Sequence, residues 1–119
     1  MRLIELMSSD TLVAITQPII MQLRQGARDP AEQRQVKSIV DSAVLLSFAV
    51  NIDFDGAAGI YRACRRGGYS VHSVDCMIAA VAIREDATVL SADADFAKIA
   101  SVVPLRLDPA TPGQTRFSP

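Results

Sequence analysis

Ser73-Val74-Asp75-Cys76-Met77-Ile78-Ala79-Ala80-Val81-Ala82, followed by Thr88-Val89-Leu90-Ser91-Ala92-Asp93-Ala94-Asp95-Phe96, is the stretch that decides the fold. The first run reads as a helix, with Ser73 as its expected cap, Asp75 in its first turn, and an end near Asp86. It is apolar on nearly every side, which marks a buried helix. The second run reads as a short strand, Thr88 to Ser91, followed by two acids and a short helix from Asp95 to Ala100. A strand feeding a helix next to a buried helix implies an α/β domain. A core alone does not call for acids at both places. A divalent ion does, because Mg²⁺ and Mn²⁺ favour carboxylate and water oxygens.

Working outward, Leu12-Val13-Ala14-Ile15 is β-prone and bounded by Asp10 and Pro18. Pro18 opens a helix that Gly26 closes. Asp29-Pro30 opens another, with Asp29 as cap and Glu32 reaching back, and with Val36, Ile39, Val40 and Ala43 as its apolar face. Val44 to Phe48 is a second strand candidate. Asn51 or Asp53 is the expected cap of the next helix, whose inner stripe reads Ala57, Ala58, Tyr61 and Cys64 and whose end is Gly67-Gly68. Leu105 to Leu107 reads as a last strand. Residues 1–8 read as the tail of a helix, and residues 108–119 as a Pro-rich tail behind a domain of residues 1–107. Alternating strands and helices predict a parallel sheet covered on both faces. Sites in such folds form beyond the carboxyl ends of strands, which is where Asp93 falls.

The 119 residues fit one domain, and half of them are apolar. A net charge of −1 excludes the strongly basic signature of a general nucleic-acid binder but not a local basic patch. Cys64 and Cys76 sit in apolar helical stretches and read as core residues of a reduced, cytoplasmic protein. No apolar run reaches the length of a membrane span, and the early apolar run is broken by Glu5 and Ser8-Ser9-Asp10, unlike a secretory signal.

The chain resembles a PIN domain of the VapC type, the ribonuclease toxin of bacterial toxin–antitoxin pairs. The resemblance spans residues 8–107. Ile15 to Asp29 is similar to the family's early helix and Ala57 to Gly68 to its middle helix. Asp75 to Ala82 and Asp93-Ala94-Asp95-Phe96 are similar to its acidic motifs. It implies a three-layer α/β/α fold with a short parallel sheet. It further implies Asp75 and Asp93 as catalytic, metal-holding acids with Asp95 beside them, Mg²⁺ or Mn²⁺ as cofactor, and RNA as substrate. A cognate antitoxin and a second copy of the chain are the implied partners.

Three departures from the family pattern stand out. The family's first strand and its acid precede the point where this chain begins, Gln22 stands where the early helix offers a Glu, and the loop before Asp75 is one residue short, with His72 where an Arg is usual. The reading is therefore of a truncated or degenerate copy, with Met1 an internal methionine of a longer ancestral frame. Loss of a central strand is expected to leave sheet edges open. Metal affinity is expected to be weak and nuclease activity low or absent.

Each motif also has a plainer reading. Asp75 can be a first-turn acid favoured by the helix dipole, and Asp93 and Asp95 can be caps, the latter or its neighbour being favoured. His72 reads as a solvated loop histidine. Arg62, Arg65 and Arg66 are the best candidates for RNA phosphate contacts, with Arg24 and Arg28 behind them, though such a cluster is more often a solvated helix face. The alternative to a nuclease is a catalytically inactive PIN-like module that binds an antitoxin or itself. A flavodoxin-like receiver domain is disfavoured by the acid spacing and by the lack of a lysine near a late strand end.

Overall fold

The computed structural model describes residues 5–9, 12–91 and 93–108, with side chains from residue 14 onward. Five strands, β1 (Glu5–Ser9), β2 (Leu12–Ile15), β3 (Val44–Leu45), β4 (Thr88–Ser91) and β5 (Arg106–Leu107), form one sheet in the order β3-β2-β1-β4-β5. Five helices, α1 (Gln17–Gly26), α2 (Pro30–Ser42), α3 (Val50–Arg66), α4 (Ser73–Arg84) and α5 (Asp95–Ala100), lie between the strands along the chain. The fold is α/β, with parallel strands at both flanks. β2 runs parallel to β3, pairing Ala14 with Val44, and β4 runs parallel to β5, pairing Val89 with Leu107.

The centre of the sheet corrects two expectations. Residues 5–9 are not a helix tail. They form β1, antiparallel both to β2, with Ser8 opposite Val13, and to β4, with Leu6 opposite Leu90. Glu, Leu and Met are good helix formers in isolation, but five residues cannot sustain a helix alone, and two waiting strand edges satisfy the backbone of this segment better. The sheet is thus mixed rather than wholly parallel, and the inner edges of β2 and β4 are paired by β1.

Local chemistry accounts for most of the helices. Pro18 sits in the first turn of α1. The Asp29 carboxylate accepts the Glu32 N–H at 2.8 Å, and Glu32 in turn accepts the Arg28 N–H at 2.9 Å. α3 starts at Val50, earlier than expected, and neither Asn51 nor Asp53 is its first cap. Asp53 acts from inside the helix, accepting the Ala49 N–H at 2.7 Å. The buried stripe of α3 is Asp53, Ala57, Ile60 and Cys64, so Ala58 and Tyr61 face solvent and Ile60 takes the expected place of Tyr61. Gly68, at φ 85°, ends the helix in the left-handed region, and the Tyr69 N–H reaches back to the Cys64 carbonyl at 2.8 Å. β3 is only Val44–Leu45, and the Leu46 N–H, donating to the Ile15 carbonyl at 2.8 Å, is the last rung of its ladder with β2. Of the expected tail, residues 108–119, only Asp108 is described, and its N–H donates to the Val89 carbonyl at 2.8 Å; the rest lies outside the described residues.

α4 is the buried helix its sequence implied. Cys76, Ile78, Ala79, Val81 and Ala82 are all within 1% of full burial, and Phe96, Ile99 and Val89 complete the core. The helix ends at Arg84 rather than Asp86, whose φ of 57° turns the chain toward β4. Arg84 closes this end. Its Nε and one terminal nitrogen donate to the two oxygens of Asp53 at 2.9 and 2.8 Å, and the same terminal nitrogen donates to the Ser47 carbonyl at 2.8 Å.

Burial works against ionisation of Asp53, but Arg84 and the Ala49 N–H outweigh it and hold the carboxyl below its ordinary 3.8. The sign follows from the depressed folded-state value. The contribution is complete above about pH 4 and is lost as pH falls through that value. Asp53→Asn is expected to destabilise the domain by about 3 kcal/mol, the low end for breaking a buried pair because Arg84 is partly exposed. Urea unfolding at pH 7 and at acid pH checks this, and the gap between the two proteins should shrink at the acid end.

Candidate metal centre

The amino end of α4 and the turn between β4 and α5 meet on one side of the domain. Asp75 is the third residue of α4 and is 1% exposed. Asp93 follows β4 and is half-buried, while Asp95 is the first residue of α5 and buried. His72 precedes α4 and occupies its cap position without a side-chain cap bond, so Ser73 is not the cap. One ligand atom from each of His72, Asp75, Asp93 and Asp95 lies within 4.8 Å of every other. The three aspartates singled out in the sequence therefore converge, and a histidine joins them.

Hydrogen bonds fix this arrangement. One oxygen of Asp95 accepts the His72 backbone N–H at 3.0 Å and lies 2.8 Å from the ring Nδ1. The other oxygen lies 3.5 Å from Lys98 Nζ. Asp93 accepts the Asp95 N–H at 2.9 Å, and its own N–H donates to Ser91 Oγ at 2.9 Å. The cap position of α5 is Ala94, so neither aspartate caps the helix itself; Asp93 instead braces the turn that leads into it. Burial raises the Asp95 carboxyl, but the His72 ring and N–H, with Lys98, more than offset it, so this acid titrates below its ordinary value. Asp95 is accordingly ionised near neutral pH.

Behind the acids lie the two free, buried thiols. Burial, then Cys64, Asp75 and Asp95, push Cys76 up to about 12. Burial and Asp95 raise Cys64 as well. Both are therefore protonated core residues and not nucleophiles.

The donor set fits a divalent ion. Three carboxylates supply the hard oxygens that such ions favour, and an imidazole is acceptable to the transition metals among them. Ligands on opposite sides of an ion with bonds of roughly 2.0–2.6 Å stand roughly 4–5 Å apart, which the 4.8 Å limit accommodates. Gln22 is half-buried on α1, which packs against α4. It can offer an amide oxygen but no charge.

The arginines of α3 divide. Arg62 and Arg65 line a shallow groove of about 550 Å³ with Phe54, Tyr61, Ser73 and Met77, which reaches the first turn of α4. Arg65 lies over the Tyr61 ring at 5.8 Å. Arg66 is exposed and does not line this groove. Arg24 lines a separate groove with Val36 and Lys37, and Arg28 is engaged by Glu32 at 3.2 Å. No helix among the described residues is long and apolar enough to cross a membrane.

The PIN domain family model matches residues 1–102. This chain belongs to the PIN domain family. It is 42% identical over 95 residues to VapC ribonuclease Mb1587 of Mycobacterium bovis, covering 79% of this chain and 71% of that protein. Ribonuclease VapC11 of Mycobacterium tuberculosis matches with the same figures. Among solved structures, VapBC2 from Rickettsia felis, bound to a DNA fragment from its promoter, superposes with a TM-score of 0.64 at 19% identity, over 83% of this chain and 75% of that one. That likeness is one of fold, and it bears out the α/β architecture read from the sequence.

Within this PIN domain, the residue that sequence reasoning passed over is His72. Its signal was its position three residues before Asp75, which places it across the mouth of α4. If the cluster holds an ion, Mn²⁺ or Mg²⁺ at a hundred times its dissociation constant should raise stability by roughly 2.7 kcal/mol. Differential scanning calorimetry on the wild type and on Asp75→Asn and Asp93→Asn checks this. The shift should disappear in both variants.

Proposed function

We propose that this PIN domain is a metal-dependent endoribonuclease, the toxin member of a toxin–antitoxin pair. The observation that carries the proposal is the meeting of Asp75, Asp93 and Asp95 at the end of β4 and the mouth of α4. The relatives named as VapC ribonucleases support it. Asp75 and Asp93 would hold the ion as the catalytic acids, with Asp95 completing the set. When bound, a divalent ion supplies a water made acidic enough to act as nucleophile and positive charge to offset that of the transition state. The chain's own residues then have positioning to do. Asp95 keeps the loop bearing His72 against α5, and Asp93 sets the turn after β4.

RNA would reach this centre along the α3 groove. Arg62 and Arg65 would meet phosphates, and Tyr61 offers a face on which a base can stack, the combination that single strands require. Arg66 would contribute only general attraction. In hydrolysis the water oxygen bonds to phosphorus as the bond to the leaving nucleoside oxygen breaks.

Mg²⁺ or Mn²⁺ is the expected ion class. Asp95 adds a third carboxylate to the two read as catalytic. The absence of a carboxylate at Gln22 still favours low activity, and the inactive antitoxin-binding module remains the second reading on that ground. Purified protein should cleave a labelled single-stranded RNA only with a divalent ion. Asp75→Asn should lose at least about 100-fold, the order expected when a group acting in the transition state is removed. Arg62→Glu with Arg65→Glu should raise KM far more than it lowers kcat. Cleavage no faster than that of Asp75→Asn with any divalent ion would favour the second reading.

The partners follow the same frame. Val50 and Phe54, one turn apart on the same face of α3, are 64% and 50% exposed, and Phe54 lines the groove. An antitoxin segment or a second copy of the chain would cover this apolar patch. Light scattering on the isolated chain should report a dimer that Phe54→Asp weakens. A monomer at all concentrations would leave the antitoxin as the partner for this patch.

A further inference from the structure

We propose that His72 is a nitrogen ligand to the ion held by Asp75, Asp93 and Asp95, and that it makes the centre prefer Mn²⁺ to Mg²⁺. This rests on the metal-dependent reading above and deepens it. Three observations carry it. First, a His72 ring nitrogen lies within 4.8 Å of an oxygen of each of the three aspartates, close enough for all four groups to reach one ion. Second, its Nδ1 stands 2.8 Å from an Asp95 oxygen, while adjacent ligands on an octahedral ion with bonds of roughly 2.1 Å stand about 3 Å apart. The pair thus already has nearly the spacing of neighbouring ligands. Third, the ring is 82% exposed. Core packing does not account for its position, and the Asp95 contact places it over the acids.

The consequence is one of chemical preference. Mg²⁺ keeps an oxygen environment and sheds water reluctantly, so an imidazole adds little to its binding. Mn²⁺ accepts carboxylates readily and imidazole nitrogen as well. Three acids and one imidazole are therefore a better set for Mn²⁺ than for Mg²⁺. The preference belongs to this chain's own histidine, since three aspartates alone would leave the two hard ions close in affinity.

The rival account is that His72 only braces Asp95 from outside. The test separates the two. Apoprotein is loaded with Mn²⁺ and examined by pulsed electron paramagnetic resonance, and Mn²⁺ and Mg²⁺ affinities are measured by calorimetry for the wild type and His72→Ala. His72 is exposed, so the variant should fold, which its unfolding curve verifies. Nitrogen-14 coupling to the bound Mn²⁺ is expected in the wild type and should vanish in the variant. The Mn²⁺ to Mg²⁺ affinity ratio should fall by about ten-fold, in keeping with the loss of one ligand that only Mn²⁺ uses well. Mn²⁺ bound without nitrogen coupling, or an unchanged ratio, overturns the proposal and leaves the metal centre standing. Failure of the wild type to bind either ion overturns the centre and the proposal together.

Discussion

The Asp95 carboxylate joins two parts of the chain that meet at the candidate metal-ligand cluster. By accepting the His72 N–H at 3.0 Å, it ties the loop before α4 to the first residue of α5. Each helix brings its own acid to that junction, Asp75 from one side and Asp95 from the other, with Asp93 set by the turn between β4 and α5. This link adds a fixed hydrogen bond to the core packing between α4 and α5 and sets the acids around one point. Concentrating this much negative charge is costly, so the junction also needs cationic or donor groups nearby. Lys98 and the backbone N–H groups of His72 and Asp95 supply part of that compensation.

Much of this was legible before any coordinates. The cap formed by Asp29 and Glu32, the closing Gly67-Gly68, the buried character of α4 and the strand before Asp93 all rest on short-range rules, and the structure follows them. The convergence of the acids was readable from the resemblance together with the rule that sites collect beyond strand ends. What escaped depended on distant partners. β1 could not be read because Glu5–Ser9 has no strong preference of its own, and its pairing with Leu12–Ile15 and Thr88–Ser91 is a tertiary choice.

The errors on α3 have a narrower cause. Tyr61 and Ile60 differ by one position, a third of a turn, and both are apolar enough to serve as the inner residue. Packing against α4 selected Ile60, leaving the hydroxyl-bearing ring for the groove. Asp53 was read as a cap from outside the helix, yet it works from within because Arg84, 31 residues later, holds it there. His72 was discounted as a lone loop histidine. Its spacing of three residues from Asp75 was a local signal, and the contact with Asp95 is what gives that signal meaning.

α4 is held at both ends by charge, through the His72 loop on Asp95 at its start and Arg84 on Asp53 and Ser47 at its finish. A helix of 12 residues spans about 18 Å, so the two fastenings sit at opposite ends of α4. They leave the rod no freedom to slide along its axis, and a shift of even part of a turn would break both. Asp75 is therefore indexed from afar. A change at the Arg84 end would thus reach Asp75 without touching any group beside it.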